Sequence, residues 1–296
     1  MQLANLCTIV VVPRERFGLT YYCLDRVYAS TTQALRVVVV EGGAPAHVRA
    51  WLARESKARG FTWISREKFL TPNQARNIGL QAVTTPYAVF LDSDAIVEPG
   101  CLEALLQCAQ ETGAAVVGPL YLEGKPEDRV IHMAAGNAHL DELNGQRHLT
   151  VEHRYEFMKL ADIPEPLERC ECEVMEFHCM LIRRDLLLRM RGFDERICGM
   201  FEEPDFCMFA RGMGEHVFFE PRAVVTYPRG LAFELTDRPY CLWRWSAQHV
   251  TESREHFEHK WHLAANDAQM QRYVAWTDAV RDQATRMFEY IEARQQ

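Results

Sequence analysis

The first 120 residues of the chain alternate short, continuously apolar runs with segments of helical periodicity. Apolar runs lie at 6–12, 35–40, 61–64, 87–91 and 114–117, and helical patterns lie at 17–31, 46–58, 72–82 and 99–111. Runs of this kind predict strands that are buried on both faces, which is typical of a parallel sheet. Helices between consecutive strands cover both faces of such a sheet. The sequence therefore predicts an α/β protein built on a mostly parallel sheet flanked by helices.

Composition and charge exclude several classes of protein. The 296 residues are 48% hydrophobic and 25% charged, as in ordinary soluble globular proteins, and the formal net charge is -8. An acidic chain is poorly suited to non-specific nucleic-acid binding, so we expect no nucleic-acid partner. No apolar run approaches the ~20 residues of a membrane-spanning helix, and the start of the chain lacks the features of a signal peptide. We therefore expect a cytoplasmic protein, for which only peripheral membrane contact stays open.

The cysteines are numerous but scattered. Ten of them fall mostly within apolar segments, which predicts reduced, buried thiols of the kind found in cytosolic proteins. Cys170 and Cys172, with His178 and Cys179 nearby, are residue types that bind zinc. Their spacing fits no standard zinc knuckle and no second pair follows, so we expect no zinc site on these cysteines.

Two carboxylates, Asp92 and Asp94, follow directly on the fourth apolar run. Along an extended segment residues i and i+2 point the same way, and two such carboxylates repel each other unless a cation lies between them. Oxygen ligands favour Mg²⁺ or Mn²⁺, which also bind diphosphates. Ligands of such sheets bind outside the carboxyl ends of the strands, where Pro13 and Glu41 are also expected. The alternative is that one aspartate caps the helix that begins near Pro99.

The second half of the chain has a different pattern. Residues 121–170 are polar, contain four histidines and show few clear periods, so we expect an irregular excursion. The later predicted elements are a strand at 172–182 that holds Glu176 and His178, a helix at 184–190, two strands at 216–219 and 223–227, and helices from about 239 onward.

Three segments resemble glycosyltransferase family 2, whose members have the GT-A fold. Residues 73–80 are similar to the helix upstream of the family's metal motif, and 87–94 match its Asp-x-Asp strand. Residues 192–206, which contain Glu-Glu-Pro-Asp-Phe, are similar to its acidic acceptor motif. The resemblance covers roughly 7–230. It implies a GT-A domain at 1–235, with a nucleotide-sugar half at 1–120 and an acceptor half at 121–235, and a helical extension at 236–296 packed on the same domain.

The resemblance implies metal-dependent transfer of a sugar, with inversion, from a nucleotide-diphosphate sugar, most simply a UDP-sugar. The acceptor would be a hydroxyl of a glycan, a lipid-linked molecule, a peptide or a small molecule. Asp92 and Asp94 would hold Mn²⁺ or Mg²⁺, with Asp92 also near the ribose. Glu203 would be the general base, supported by Glu202 and Asp205, whose charges raise the pKa of one member of the cluster. The alternative for these acids is a solvated helix N-terminus.

The donor side departs from the family pattern at several positions. Pro13 begins Pro-Arg-Glu-Arg, where the family has Pro-x-x-Asn. Glu41 replaces the aspartate that binds the nucleotide base, or it is a plain turn acid. Arg76 reaches the base or diphosphate, or it is an exposed helix charge. Tyr227 takes the place of a metal-binding histidine, so the cation rests on the aspartate pair alone or His178 substitutes as a ligand.

Two other functions stay open at this point. A nucleotidyltransferase shares this sheet topology and an aspartate metal site, but it calls for a glycine-rich phosphate loop after the first strand, and no glycine occurs there before Gly18. A degenerate sugar-nucleotide-binding or scaffold domain without transferase activity would explain Glu41, Tyr227 and the altered first loop.

Overall fold

A computed structural model of the chain describes residues 2–125, 127–228, 233–265 and 267–294. The strands are β1 Cys7–Val12, β2 Arg36–Gly42, β3 Thr62–Arg66, β4 Tyr87–Asp92, β5 Ile96–Val97, β6 Val116–Glu123, β7 Val130–Met133, β8 Gly136–Leu143, β9 Gln146–His153, β10 Cys170–Cys172, β11 Cys179–Arg183 and β12 Val217–Tyr227. The α-helices are α1 Leu3–Leu6, α2 Leu19–Ala29, α3 Ala46–Arg59, α4 Pro72–Leu80, α5 Cys101–Thr112, α6 Arg184–Met190, α7 Glu202–Gly212, α8 Arg238–Arg244, α9 Ala247–Trp261 and α10 Ala268–Ala293.

A mixed sheet of ten strands forms the centre of the molecule. Its order is β10-β12-β6-β11-β4-β1-β2-β3, with β5 on β12 and β7 on β6. The strands β3, β2, β1 and β4 are parallel, as the first half of the sequence predicts. Strand β11 lies antiparallel between β4 and β6 and so joins the two halves of the sheet.

Close packing of α4 on the sheet fixes the position of the residues on that helix. Thr71 caps α4 through a capping box with Gln74, and Pro72 occupies its first turn. A Cβ atom at Gly79 would lie 2.3 Å from Val10 Cγ1, so only glycine lets the helix approach β1 this closely.

Three predictions for the second half of the chain are wrong. The excursion contains an ordered hairpin, β8 and β9, in which Gly136 lies opposite His153. The run at 172–182 is not one strand, because β10 ends at Cys172 and β11 begins at Cys179, which leaves Glu176 in a connecting turn. The two short strands expected at 216–227 are the single strand β12, whose register shifts between Glu220 and Val224.

The C-terminal helices pack on the body that carries the sheet. Tyr240, Phe257 and Met270 join its hydrophobic core, and Trp245 and Phe288 belong to a smaller cluster between α8 and α10. All ten cysteines are free thiols, eight of them buried, as predicted. Across the described part of the chain, no helix is both long enough and apolar enough to cross a membrane.

Candidate active site at the carboxyl edge of the sheet

The loops after β1 and β4 meet at the carboxyl edge of the sheet. Val12 lies opposite Asp92 in the parallel ladder. The N–H of Ser93 donates to the Val12 carbonyl (2.9 Å), and the Ser93 hydroxyl accepts from the N–H of Arg14 (3.1 Å). These bonds hold the aspartate turn against the loop that begins at the buried Pro13.

Both aspartates are buried and paired with arginines. Arg14 Nη1 donates to Asp92 Oδ2 (2.5 Å), and Arg16 Nη2 donates to Asp94 Oδ2 (2.8 Å). Asp92 and Asp94 are 0% and 2% exposed. Burial opposes ionisation of Asp92, but the charge of Arg14, the hydrogen bond from His178 and the charge of Arg76 outweigh it and hold the pKa of this carboxyl well below its usual range. Asp92 is therefore ionised, and guanidinium groups already balance part of its charge.

The sequence argument for this pair was right about its place but wrong about its geometry. Strand β4 ends at Asp92, and Asp94 lies in the following turn, so side-chain alternation along a strand does not align the two. Neither aspartate caps a helix, because α5 begins at Cys101 with Gly100 at its cap. Instead, Arg14 and Arg16 lie in one loop and each pairs with one of the two carboxylates, which holds the carboxylates close together.

Arg76 is a buried residue of the site and not an exposed helix charge. Its guanidinium lies 3.4 Å from Asp92 Oδ1 and donates to Asn73 Oδ1 (3.0 Å). It also stacks 4.0 Å from the centre of the Phe177 ring. Burial lowers the pKa of Arg76, but the charges of Asp92, Glu202 and Glu203 oppose that shift. Arg76 thus links the aspartate pair to the acidic helix α7.

His178 and Tyr227 lie together beside the aspartates. His178 Nδ1 is 3.2 Å from Asp92 Oδ2, and its ring stacks on that of Tyr227 with centres 4.5 Å apart. The guanidinium of Arg16 lies 5.1 Å from the centre of the Tyr227 ring. Burial and the charge of Asp94 raise the pKa of Tyr227 to about 12, so the phenol is neutral at pH 7.

This arrangement is compatible with a divalent cation. Asp92, Asp94 and His178 can each offer one ligand atom within 4.8 Å of the others. Asp94 Oδ1 is buried and accepts no hydrogen bond from any residue that the structure describes. Two carboxylate oxygens and one imidazole nitrogen suit Mn²⁺, which accepts nitrogen ligands more readily than Mg²⁺ does. His178, in the turn just before β11, is thus placed where it could serve as the substitute ligand that the sequence analysis left open.

Glu41 uses one carboxylate oxygen to close a turn and leaves the other without a hydrogen bond from the described residues. Its side chain is fully buried, and Oε2 accepts a hydrogen bond from the N–H of Ala44 (3.0 Å), which closes the turn after β2. Oε1 accepts no hydrogen bond within the described residues and lies 3.7 Å from Arg49 Nε. One oxygen is therefore structural, and the other is free to accept from a ligand.

The acids of α7 are not a solvated helix end. Glu202 is 4% exposed, and Glu203 is partly exposed at the edge of the site. Burial and the charges of Glu202 and Glu176 raise the pKa of Glu203 to about 7, while Arg76 lowers it. A carboxyl group with a pKa near neutrality can accept a proton efficiently at physiological pH.

Asp205 has a structural role. Its carboxylate accepts hydrogen bonds from Lys260 Nζ (2.8 Å) and from the indole N–H of Trp261 (2.9 Å), which ties α7 to α9. Burial raises its pKa, and Lys260 counteracts the shift. Asp205 therefore anchors the acidic helix α7 to α9.

Several charged residues of the site were missed by the sequence argument. Arg14 and Arg16 appeared there only as departures from the family pattern, and Glu15, buried between them, pairs with Arg244 of α8. The sequence did contain a signal for these residues. Three charged residues that follow a buried strand so closely are expected to be buried as well and to need charged partners. Which partners they have depends on contacts between residues far apart in the chain.

The comparisons with known proteins identify the family of the chain. The family described as glycosyl transferase family 2 matches residues 8–190, more than half of the chain. No curated protein is similar enough in sequence to count as a relative.

Solved structures share the fold at low sequence identity. GalNAc-T7 with UDP, GalNAc and Mn²⁺ is 15% identical with a TM-score of 0.59, over 93% of this chain and 55% of that chain. The mannosyltransferase PcManGT from Pyrobaculum calidifontis, in complex with GDP-Man and Mn²⁺, is 15% identical with a TM-score of 0.55, over 97% and 75%. TarS from S. aureus is 14% identical with a TM-score of 0.51, over 84% and 42%.

The chain thus spans about half the length of GalNAc-T7, and at these identities the likeness concerns the fold alone. That fold is GT-A, as the three sequence segments implied. Together with the family match, it places the aspartate turn at 92–94 inside the region that the family shares. The chain belongs to glycosyltransferase family 2.

Proposed function

We propose that this protein transfers a sugar from a nucleotide-diphosphate sugar to an acceptor hydroxyl, with inversion at the anomeric carbon. The observation that carries the proposal is the buried aspartate pair at the carboxyl edge of the sheet, with arginines on one side and Glu203 at the edge of the same site. Two structures of similar fold hold UDP or GDP-Man together with Mn²⁺, which supports this class of donor. A UDP-sugar is our first expectation.

Asp92 and Asp94 would hold the divalent cation, Mn²⁺ in preference to Mg²⁺, with His178 as the third candidate ligand. A cation bound there supplies Lewis acidity and offsets the charge of a diphosphate leaving group. The guanidinium groups of Arg14 and Arg16 lie beside the same carboxylates and are suited to bind diphosphate oxygens. Both the divalent cation and the two guanidinium groups would therefore contribute to binding of the donor.

Glu203 would take the proton from the acceptor hydroxyl. With a pKa of about 7, a useful fraction of Glu203 is still deprotonated at neutral pH. The raised pKa also makes Glu203 a stronger base than an ordinary carboxylate. One base and no nucleophilic partner imply a single displacement, hence inversion. The free oxygen of Glu41 would accept from the nucleotide base. The acceptor would be a glycan, a lipid-linked molecule, a peptide or a small molecule, bound by the 121–235 half.

The test is thermal unfolding with UDP, GDP, CDP or dTDP, each with and without Mn²⁺. A nucleotide at about 100 times its Kd stabilises the folded state by about 2.7 kcal/mol, which is a shift of about 4 °C for a chain of this size. We expect one nucleotide to give this shift only with Mn²⁺, and the matching nucleotide sugar to be slowly hydrolysed. Absence of a shift with every nucleotide would contradict the proposal.

Glu203→Gln separates binding from chemistry in the same assay. It should keep the nucleotide shift and lose hydrolysis, whereas Glu165→Gln, at an exposed glutamate elsewhere, should keep both. The second candidate, a sugar-nucleotide-binding domain without activity, is favoured by the ion-paired state of Asp92 and Asp94. It predicts a nucleotide shift without turnover in the wild type.

A further inference from the structure

Next to the aspartate pair, three imidazole rings surround one carboxylate. His132 Nε2 lies 2.8 Å and His178 Nε2 lies 3.5 Å from Glu176 Oε2, and His153 Nε2 lies 3.7 Å from Glu176 Oε1. His132 is on β7, His153 ends β9, and His178 is in the turn before β11, so the fold gathers them from three places. His132, Glu176 and His178 each offer one ligand atom within 4.8 Å of the others.

The two histidines nearest Glu176 are oriented as metal ligands are. Each turns Nε2 toward Glu176 and Nδ1 toward a second carboxylate: Glu123 for His132 and Asp92 for His178, both at 3.2 Å. A carboxylate on one ring nitrogen fixes the tautomer and the ring angle, so the other nitrogen presents its lone pair to a metal. Two histidines around Glu176 share this arrangement, whereas a simple ion pair would need only one.

The backbone around Glu176 is held rigidly. The buried Tyr121 hydroxyl accepts from the N–H of Glu176 (3.1 Å) and donates to the carbonyl of Glu176 (2.6 Å) or of Cys179 (2.8 Å). The Tyr227 ring fixes His178 from the other side. His132 Nε2 lies 2.8 Å and His178 Nε2 lies 3.5 Å from the same carboxylate oxygen of Glu176, so both nitrogens converge on it.

We propose that His132, Glu176 and His178 form a second cation centre, distinct from the aspartate pair, that takes a transition-metal dication of the zinc type. Two imidazole nitrogens and one carboxylate oxygen favour Zn²⁺ or Co²⁺ over Mg²⁺ or Ca²⁺. Three protein ligands leave a position open, as in catalytic zinc sites, and His153 flanks the cluster. The centre goes beyond the proposed glycosyl transfer and does not depend on it. A metal bound here takes Nε2 of His178 and leaves Nδ1 on Asp92, so the donor cation would then rest on Asp92 and Asp94 without His178.

The test measures metal binding to the full chain, stripped with a chelator and free of nucleotide. Co²⁺ is titrated and followed by its visible absorption bands and by metal analysis. We expect one Co²⁺ per chain, displaced by Zn²⁺. Glu123→Gln should weaken binding by about 10–100-fold, and His132→Gln should abolish it. His139→Gln is the matched control, because His139 pairs with Glu173 outside the cluster and should leave binding unchanged.

Asp94→Asn distinguishes this centre from the donor site. It should leave Co²⁺ binding intact while it removes the Mn²⁺-dependent nucleotide shift, and His132→Gln should do the reverse. Thermal unfolding checks that each variant folds, and the isosteric Glu176→Gln replaces His132→Gln if that variant does not. No Co²⁺ binding by the wild type, binding unaffected by His132→Gln and Glu176→Gln, or binding lost in Asp94→Asn as well would each overturn the proposal.

Discussion

Asp94→Asn should destabilise the protein as well as remove a metal ligand. From the sequence alone the change looks neutral for the fold, because aspartate and asparagine have the same shape. In the structure Asp94 Oδ2 accepts from Arg16 Nη2 at 2.8 Å, and Arg16 is only 4% exposed. The substitution leaves a buried guanidinium that retains a hydrogen bond to the Pro228 carbonyl (2.8 Å) but has lost its counter-ion.

The magnitude follows from this geometry. Removing one partner of a buried ion pair costs about 3–5 kcal/mol. The asparagine oxygen still accepts a hydrogen bond from Arg16, which returns about 1 kcal/mol and leaves a loss of roughly 2–4 kcal/mol. For a chain of this length the melting temperature should fall by about 3–6 °C.

The assay is calorimetric unfolding without metal or nucleotide, for Asp94→Asn, Arg16→Gln and the double variant. Because the double variant has no unpaired charge, it should be more stable than the sum of the single losses predicts, by at least about 1 kcal/mol. An unchanged melting temperature for Asp94→Asn, together with strict additivity, would refute the reasoning about this pair.

Three further predictions concern the site and its supports. In Glu203→Gln, turnover should fall by about 10²–10⁴-fold with nucleotide affinity unchanged. In the wild type kcat/KM should rise with pH through about 7, where the base loses its proton, and this dependence should vanish in the variant; an equal loss of nucleotide affinity would contradict the assignment. Tyr227→His should tighten Mn²⁺ binding at saturating nucleotide, since it adds a nitrogen ligand near Asp94, and Tyr227→Phe should not; equal affinities in a Mn²⁺ titration would show that this position lies outside the metal shell. Lys260→Met should cost roughly 2 kcal/mol, because it leaves Asp205 buried without its cation, and unchanged urea unfolding would count against the α7–α9 link.

The parts of the fold that could be predicted are those with a strong local signal. β1 and β4 are runs of apolar residues buried on both faces, and α4 begins with a proline and a capping box. The Asp-x-Asp turn and the acidic helix are continuous segments, so the sequence shows which residue types they contain. It does not show how those residues are arranged in space.

The hairpin β8–β9 could not be predicted because its strands are largely polar and partly exposed, which removes the period of two that indicates a strand. The turn that holds Glu176 was hidden for the opposite reason. It lies within residues 172–182, where polar and apolar side chains largely alternate as in a strand, and the turn is held by hydrogen bonds to the hydroxyl of Tyr121, 55 residues away in the chain. The pairing of Arg14 and Arg16 with the aspartates spans 78 residues, and no local pattern encodes such a contact.

The ion pair between Glu15 and Arg244 affects the order in which parts of the chain can fold. The two residues are 229 positions apart, so Arg244 leaves the ribosome long after Glu15 does. The parallel strands can assemble meanwhile, because domains fold from the N-terminus as they are made. Until α8 arrives, however, Glu15 lacks its main counter-ion and the loop that carries Arg14 is incomplete. A nascent chain should therefore carry a formed sheet before it carries a formed loop at 13–16, and that loop is completed only after α8 has been made.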